Sequence, residues 1–371
     1  MSKLYTAIGL MSGTSGDGID ASIIQSDGED KLEILEDFYT IYSEDTNAEI
    51  SKLKDAINSK HDLDKNKNLI LKLEKKITEL HATAVLETIK KSNLKKEKID
   101  VIGFHGQTIY HNFEEKISKQ LGDGKMLKDL TNISVVNNFR ANDIKEGGNG
   151  APLSPIYHRL INKKLNLDLP TLYLNIGGIS NITYIDKKKN IISFDCGPGN
   201  YLIDKFLKIK SNNKIKFDKD GDIAFRGSTK EIIVESYLAD PFYKQSYPKT
   251  LDVNDFSLSL IKGISLDDSV TTLSELTVRT ITNAIKIFEE SPKKIILCGG
   301  GRKNKFFLKR IKDLSKIKTQ YIDDYNINGD FIESQAFAYL AIRSLLKKSL
   351  TYPETTGVVK PCLGGTIFKI I

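Results

Sequence analysis

The sequence predicts an α/β fold of two lobes that arose by duplication of one pattern. A β-like run, a glycine-rich turn and a second β-like run occur near the start, around residues 13–18, and the same pattern returns around Gly177-Gly178. Repetition of one design within a chain favours duplication over two unrelated domains. The length of 371 residues also exceeds what one small core requires.

Three elements are predicted in the first lobe. Residues 7–11 and 19–24 form a β-hairpin around the turn at residues 13–18. Apolar residues at helical spacing between about Asn66 and Ser92 predict a long amphipathic helix. A buried strand, residues 99–104, is predicted to end just before His105-Gly106-Gln107-Thr108.

The second lobe repeats the hairpin and adds further strands and helices. Its hairpin spans residues 172–185, and a third strand, residues 191–194, is predicted to end at Asp195. A strand at residues 295–298 leads into Gly299-Gly300-Gly301 and a helix, and residues 333–348 predict the last amphipathic helix. We place the N-terminal lobe at residues 1–138 plus 350–371 and the C-terminal lobe at residues 139–349.

Composition excludes several classes of protein. No run of 18 apolar residues occurs and the first residues lack a signal-peptide stretch, so we expect a cytoplasmic protein without a membrane partner. Cys196, Cys298 and Cys362 are too far apart for a disulfide framework or a CxxC metal site. The net charge of +7 comes from scattered lysines, which do not indicate nucleic-acid binding.

Glycine turns let backbone N–H groups approach a phosphate, but two common nucleotide motifs are absent. Residues 16–21 match GxGxxA, yet a strand follows where a dinucleotide fold needs a helix. Gly124-Lys125 is followed by Met126 and therefore makes no Walker loop. Neither GxSxG nor HExxH occurs.

The hairpin turns resemble the phosphate loops of the sugar kinase, chaperone ATPase and actin superfamily. In that superfamily two hairpins hold the nucleotide phosphates, and a later glycine-rich turn holds the adenosine. Residues 13–20, 175–183 and 298–304 match these three parts in order. The resemblance implies two lobes of ribonuclease H-like fold, an active-site cleft between the lobes, and ATP as the nucleotide.

The ordered motifs resemble, more specifically, the anhydro-N-acetylmuramic acid kinase family. The motifs that carry this resemblance are Gly9-Leu10-Met11-Ser12-Gly13-Thr14-Ser15 with Asp17-Gly18, Gly103-Phe104-His105-Gly106-Gln107-Thr108, Phe139-Arg140 with Asp143, Gly150-Ala151-Pro152-Leu153, Asn175-Ile176-Gly177-Gly178, Phe194-Asp195 with Gly197-Pro198-Gly199-Asn200, Cys298-Gly299-Gly300-Gly301 with Asn304, and Glu333 before Ala336-Phe337-Ala338. The chain departs from the family pattern at Gly16, Asn138, Asn149, Cys196 and the stretch 250–254.

The resemblance implies a reaction in which water opens the 1,6-anhydro ring of 1,6-anhydro-N-acetylmuramic acid while O6 receives the γ-phosphate of ATP. Water is a poor nucleophile, so a carboxylate should remove its proton, which typically contributes ~10²–10⁴-fold. We predict that Asp195 is this base. The alternative is that Asp195 caps the helix turn that follows.

The remaining site residues are implied by the same resemblance. The residues expected to bind ATP and its phosphates are Gly13, Thr14, Ser15, Gly16, Asp17, Gly18, Ile19, Asp20, Asn175, Gly177, Gly178, Gly197, Gly199, Gly299, Gly300, Gly301 and Asn304. Asp17 is expected to hold Mg²⁺ directly or through water, although it could instead shape the turn, and the role of Asp20 stays open.

For the sugar, Arg140 can bind the lactyl carboxylate with a bidentate fork. Asp143 and Glu333 could accept hydrogen bonds from hydroxyl groups or the acetamido N–H. His105 could do the same or serve only as a structural hydrogen-bonding residue, and the other histidines are given no role. A homodimer is the oligomer that the resemblance implies.

Two alternatives stay open at this point. One is a plain hexose or amino-sugar kinase of the same superfamily, which would place no oxygen from water at C1. The other is a non-enzymatic nucleotide switch like actin or a chaperone, which would turn over nucleotide without a sugar.

Overall fold

The structure is a computed structural model that describes residues 3–13 and 16–370. The phosphate-binding predictions for Thr14 and Ser15 lie outside these described residues. The strands are β1 (Tyr5–Ser12), β2 (Gly18–Ser26), β3 (Leu32–Ile41), β4 (Val101–Asn112), β5 (Ile117–Leu121), β6 (Val135–Asn137), β7 (Thr171–Ile176), β8 (Ile179–Ile185), β9 (Ile191–Pro198), β10 (Lys294–Cys298), β11 (Lys318–Tyr321) and β12 (Thr366–Phe368). The α-helices are α1 (Glu44–Asp55), α2 (Lys60–Lys65), α3 (Lys67–Ser92), α4 (Gly124–Thr131), α5 (Ala141–Lys145), α6 (Pro155–Lys164), α7 (Tyr201–Lys210), α8 (Glu231–Leu238), α9 (Leu266–Ile285), α10 (Lys305–Ser315), α11 (Ile332–Leu345) and α12 (Pro353–Thr356).

The chain divides into two compact units whose boundaries differ from the predicted ones. Unit 1 comprises Met1–Leu165 and Phe331–Ile371, and unit 2 comprises Asn166–Asp330. The predicted N-terminal lobe stopped at residue 138 and resumed at 350, but α11 packs on β1, β2 and β4, and α6 packs on β3 and α11. Both helices accordingly belong to unit 1, which also contains Arg140, Asp143 and Glu333.

The two units contain sheets of the same topology. In unit 1, β3, β2 and β1 are antiparallel neighbours and β4 and β6 continue in parallel from β1, with β12 at the far edge and β5 paired to β4. In unit 2, β9, β8 and β7 are antiparallel and β10 and β11 continue in parallel from β7. The predicted duplicated α/β fold of ribonuclease H-like type is therefore confirmed.

Each unit has its own apolar core. In unit 1, α3 covers one face of the sheet, and its Ile77 and Val85 are fully buried in the same apolar cluster as Ile8 and Ile102. The observed bounds of α3 match the helix predicted from apolar spacing. In unit 2, α9 and α10 pack on each other, and their apolar residues join those of β7 and β10 in a second core. None of the described helices is long and apolar enough to cross a membrane.

Helix α11 lies directly on the sheet of unit 1 where two glycines are neighbours. Gly9 of β1 pairs with Gly103 of β4. A Cβ atom at Gly9 would lie 1.8 Å from the carbonyl oxygen of Ser334, and one at Gly103 would lie 2.1 Å from that of Phe337. Only glycine permits this approach, which fixes the first turn of α11 and thereby the position of Glu333.

Candidate active site

The first glycine turn, in unit 1, is held by residues from two other elements. The N–H of Gly16, whose φ is +63°, donates to the carbonyl oxygen of Gly13 at 3.0 Å. Gln107 of β4 donates to the same oxygen at 3.0 Å and accepts from the hydroxyl of Ser12 at 2.7 Å. Asn47 of α1 donates to the carbonyl oxygen of Gly16 at 2.7 Å. Sequence reasoning gave Gln107 no role, and the structure shows that it supports the turn.

β4 is longer than predicted, which explains how Gln107 reaches the turn. The strand continues through residues 105–112 instead of ending before His105. Gln107 consequently lies opposite Ser12 at the end of β1. The glycine turn and the motif around Gln107 are therefore adjacent because their strands are paired.

Two carboxylates accompany this turn. Asp17 is exposed and Asp20 is half-buried on β2, directly opposite Tyr39 of β3. Burial, together with the charges of Asp17 and Asp20, raises the pKa of Tyr39 to about 12. Both carboxylates are therefore close enough to the Tyr39 phenol for their charges to oppose its ionisation. The side chain of Ile19, by contrast, is fully buried, so only its main chain could bind a phosphate.

Arg140 and His105 form the centre of the predicted sugar-binding group. Nε and Nη2 of Arg140 lie 3.2 Å and 3.0 Å from Nε2 of His105, and Nη1 donates to the carbonyl oxygen of Gly150 at 2.7 Å. The His105 ring also packs on Phe337, with ring centroids 4.5 Å apart. Burial and the charge of Arg140 lower the pKa of His105 well below its ordinary value. His105 is thus a neutral imidazole that orients the guanidinium.

Asp143 holds the loop that follows Arg140. One carboxylate oxygen accepts from the N–H of Gly150 at 2.7 Å, and the other accepts from the hydroxyl of Thr356 at 2.6 Å. Only 2% of the residue is exposed. Both oxygens are therefore engaged within unit 1. This arrangement orders the Gly150 carbonyl that Arg140 binds.

Glu333 lies in the first turn of α11 and is half-buried. Burial raises the pKa of Glu333, and the positive charge of Arg140 opposes that shift. Arg140 is therefore close enough to Glu333 for its charge to favour the ionised carboxylate, although the two residues are far apart in sequence. Within unit 1, Arg140 thus interacts with His105, with the Gly150 carbonyl that Asp143 orders, and with Glu333.

Two glycine turns of unit 2 are joined by main-chain hydrogen bonds. The N–H groups of Gly199 and Tyr201 donate to the carbonyl oxygen of Gly178 at 2.8 Å and 3.2 Å. The N–H of Asn200 donates to the carbonyl oxygen of Gly177 at 2.8 Å. A Cβ atom at Gly199 would lie 2.2 Å from the carbonyl oxygen of Gly177. Only glycine allows this junction.

The third glycine turn reaches the same place from β10. Asn175 pairs with Cys298 across β7 and β10, and a Cβ atom at Gly299 would lie 2.2 Å from Oδ1 of Asn175. A Cβ atom at Gly301 would lie 2.4 Å from the side chain of Ile176. A Cβ atom at Gly300 would have no atom of the described residues within 4 Å outside its own turn. The turn is thus packed at its two ends and open in the middle.

The glycines of unit 2 differ in how much space a Cβ atom would have. Those with free space mark the part of the turns that is open to a ligand. A Cβ atom at Gly177 or Gly178 would meet its nearest neighbour at 3.6 Å or 3.9 Å, which is ordinary contact. Gly197 is closed, because a Cβ atom there would lie 2.7 Å from Thr280. Gly177, Gly178 and Gly300 therefore offer main-chain surface that a ligand can approach.

Asp195 lies inside β9, which runs to Pro198 and does not end at Asp195 as predicted. Its N–H donates to the carbonyl oxygen of Lys249 at 2.9 Å, and its Oδ2 accepts from the N–H of Leu251 at 2.8 Å. The residue is 7% exposed. A segment of unit 2 that is distant in sequence thus holds Asp195 through main-chain atoms. These contacts do not depend on which side chains occupy residues 250–252.

The turn predicted for adenosine is fixed by Asn304 and Arg302. Oδ1 of Asn304 accepts from the N–H groups of Phe306 and Phe307 at 3.0 Å and 3.2 Å and so caps α10. Arg302, which is 4% exposed, binds both carboxylate oxygens of Asp323 at 2.7 Å and 2.9 Å and donates to the carbonyl oxygen of Gly299 at 3.0 Å. Burial opposes ionisation of Asp323, but its bonds to Arg302 outweigh that effect and lower its pKa.

A cavity of about 320 Å³ lies beside this turn in unit 2. The residues that line it are Asp220, Arg302, Lys303, Tyr321 and Asp323. Sequence reasoning did not single out Arg302. The sequence does contain a signal for the role of Arg302, because this arginine directly follows three glycines and an acidic pair that could bind it occurs at Asp323-Asp324.

Comparison with known proteins gives consistent results along the whole chain. A family model described as anhydro-N-acetylmuramic acid kinase matches residues 5–370. A protein of that name from Pelagibacter ubique (strain HTCC1062) is 48% identical over 379 residues, which cover 100% of each chain. One from Zymomonas mobilis is 38% identical over 370 residues, covering 98% of this chain and 100% of that protein. One from Agrobacterium fabrum is 37% identical over 374 residues, again covering 100% of both.

Proposed function

The chain belongs to the anhydro-N-acetylmuramic acid kinase family, and on that premise we propose that it acts on 1,6-anhydro-N-acetylmuramic acid and ATP. Water opens the 1,6-anhydro ring, O6 receives the γ-phosphate, and the products are N-acetylmuramic acid 6-phosphate and ADP, a step in the recycling of cell-wall sugars. The family and the enzyme class predicted from the motifs are confirmed by the match over residues 5–370 and by relatives that share the same name.

In this reaction the C1–O6 bond of the bridge breaks and an oxygen atom of water bonds to C1. The water proton passes to Asp195. O6 forms a bond to the γ-phosphorus, and the bond from that phosphorus to the β-phosphate oxygen breaks. General base assistance at C1 is needed because the nucleophile is neutral water.

The observation that carries the proposal is the setting of Asp195. Its carboxylate is nearly buried, and the N–H of Leu251 fixes one of its oxygens at 2.8 Å. A fixed carboxylate in a largely water-excluded place suits the removal of a proton from one ordered water. The neighbouring main chain of Gly177 and Gly178 is open to a ligand, which supports a role in holding phosphate oxygens.

The nucleotide and metal roles rest on other residues. The cavity beside Arg302 and Lys303 supports binding of the adenosine part of ATP at this turn. Within the described residues, no group of three or more His, Cys, Asp or Glu side chains could hold a metal. Mg²⁺ binds through one or two carboxylates plus phosphate oxygens and water, so Asp17, with Asp20 nearby, fits this ion. When bound, Mg²⁺ would neutralise charge on the transferring phosphate.

Sugar recognition is assigned to unit 1. Arg140, oriented by His105 and the Gly150 carbonyl, suits the lactyl carboxylate, which distinguishes a muramic acid from other amino sugars. Glu333 can accept a hydrogen bond from a hydroxyl or acetamido N–H. Asp143 is a positioning residue, because its two oxygens hold Gly150 and Thr356. The homodimer, the cytoplasmic location and the absence of a nucleic-acid partner stay predictions.

The test is incubation of the protein with Mg-ATP and the anhydro sugar, followed by detection of the 6-phosphate. Asp195→Asn is expected to lower kcat by about 10³-fold or more, since it removes the base while it keeps the size of the side chain. Asp168→Asn, at an exposed carboxylate of the same unit, is the matched control and should behave as the unmodified protein. No product, or full activity in Asp195→Asn, would contradict the assignment of substrate or base.

A further inference from the structure

A segment remote in sequence holds the proposed base. Residues 241–251, which we call the Asp195 strap, reach β9 through the carbonyl oxygen of Lys249 and the N–H of Leu251. Both contacts are made by main-chain atoms of the strap. Any interaction that fixes the position of the strap therefore also fixes the position of the Asp195 carboxylate.

The side chain of Lys249 connects the two ends of the strap. Its Nζ donates to the carbonyl oxygen of Phe242 at 3.0 Å and lies 4.4 Å from the centroid of the Phe242 ring. The same ammonium lies 5.8 Å from the ring centroid of Phe194, the residue before Asp195. Cation–π contacts of this kind strengthen when the cation is partly desolvated. Burial lowers the pKa of Lys249, as expected for a half-buried amine.

From this geometry we propose that Lys249 is a positioning residue for Asp195. Its ammonium fixes residues 249–251 to Phe242 and so keeps the Leu251 N–H on Oδ2 of Asp195. The inference rests on the proposed function, in which Asp195 takes the proton of water. It adds that the strap, and not β9 alone, sets the reactivity of the carboxylate.

This arrangement affects proton transfer as well as position. A hydrogen bond from an N–H group favours the ionised form of a carboxylate, and the ionised form is the one that can act as base. Of the neighbouring titratable groups, Cys196 interacts electrostatically with Asp195 and Lys249, and Tyr243 interacts with Cys196. Burial raises the pKa of both Cys196 and Tyr243, so both side chains stay neutral at acidic and neutral pH.

The test compares Lys249→Met with Lys244→Met, an exposed lysine of the same strap. Lys249→Met keeps the aliphatic chain and removes the ammonium. We expect kcat to fall by about 10- to 100-fold, because small misplacement of a reacting group has effects of this size. KM for the sugar and for ATP should stay within about twofold, since neither substrate loses a contact. The acidic limb of the kcat–pH profile should move to higher pH.

Two further variants keep the test decisive if Lys249→Met is poorly folded. Lys249→Arg retains a cation over Phe242 and should restore most of kcat and the original acidic limb. Phe242→Leu removes the ring but keeps the carbonyl acceptor, and should shift the acidic limb in the same direction by a smaller amount. Circular dichroism and thermal unfolding of each variant establish that it is folded.

An unchanged kcat and profile in Lys249→Met would overturn the inference. So would a fall in kcat with an unmoved acidic limb, because that pattern indicates a purely structural contribution. Failure of the proposed function gives a different pattern, in which the unmodified protein forms no 6-phosphate or Asp195→Asn stays fully active. That pattern would remove the basis of this inference too.

Discussion

Arg140 donates to Nε2 of His105 from two nitrogens of its guanidinium, at 3.2 Å from Nε and 3.0 Å from Nη2. The other ring nitrogen, Nδ1, lies 2.9 Å from the carbonyl oxygen of Gly106, which can only accept. The hydrogen of the neutral ring is therefore on Nδ1, and Nε2 is the acceptor. The histidine holds the guanidinium in one orientation, ready for a planar carboxylate.

Replacement of His105 by Leu should weaken sugar binding without affecting ATP. The Arg140 guanidinium would lose its acceptor, and hydrogen bonds to charged groups contribute about 1.5–3 kcal/mol. We expect KM for the anhydro sugar to rise by about 10-fold or more while KM for ATP stays constant. Steady-state kinetics with each substrate varied in turn measure both values.

His61→Leu provides the control, because His61 is exposed and lies outside this cluster. An equal rise of both KM values in His105→Leu would indicate general disruption of unit 1. An unchanged KM for the sugar would contradict the role given to the Arg140–His105 pair.

The glycines of unit 2 should separate into two groups when each is changed to alanine. Gly178→Ala and Gly300→Ala meet ordinary contact or open space, so stability should change by less than about 1 kcal/mol. Their new methyl groups occupy the side from which a nucleotide would approach, and KM for ATP should rise by about 10-fold. Gly199→Ala should instead destabilise the protein, since its Cβ would lie 2.2 Å from a carbonyl oxygen.

Thermal unfolding together with ATP kinetics distinguishes the two groups. Normal ATP kinetics in both Gly178→Ala and Gly300→Ala would contradict the proposed phosphate and adenosine roles of these turns. A stable Gly199→Ala would contradict the close junction between the turns at residues 177–178 and 199–200.

Much of this architecture could be predicted because its signals are local. Alternation and a glycine turn identified both hairpins, and apolar spacing identified α3 almost to its ends. The hydrogen bond from Leu251 to Asp195 joins residues 56 positions apart and is donated by the main chain. Such a contact leaves no residue pattern to detect, which is why the strap could not be predicted.

The assignment of α11 to unit 1 was missed for a related reason. Its apolar pattern predicts a helix but does not identify the sheet that the helix covers. The signal lay in Gly9 and Gly103, where any side chain would collide with the helix backbone. Glycine in a strand can mark such a close approach, but it does not name the partner.

Asp204, in the first turn of α7, should make stability depend on pH. Burial raises its pKa from 3.8 to about 7, with the charge of Lys208 opposing the shift and that of Asp218 adding to it. The folded protein therefore holds a proton that the unfolded chain has lost, so the free energy of unfolding falls as pH rises from about 4 to about 7. Above about pH 7 the free energy of unfolding no longer changes with the ionisation of Asp204.

Asp204→Asn removes the group that must ionise in a buried place. The variant should be more stable than the unmodified protein at pH 8, by on the order of 1–3 kcal/mol, and should differ little near pH 4. Urea unfolding at both pH values measures the difference. Asp222→Asn, at an exposed carboxylate nearby, should show no such effect. A variant that is less stable at pH 8 would show that the Asp204 charge is favourable.

The most direct measurement of the central claim is the fate of water oxygen during the reaction. The protein is incubated with Mg-ATP and the anhydro sugar in ¹⁸O-labelled water, and the 6-phosphate is analysed by mass spectrometry and ¹³C NMR at early times, before the sugar exchanges oxygen with solvent. We predict one ¹⁸O atom at C1 and none at O6, because water attacks C1 and the bridge oxygen becomes O6. A phosphorylated product without label at C1, or with label at O6, would contradict the account.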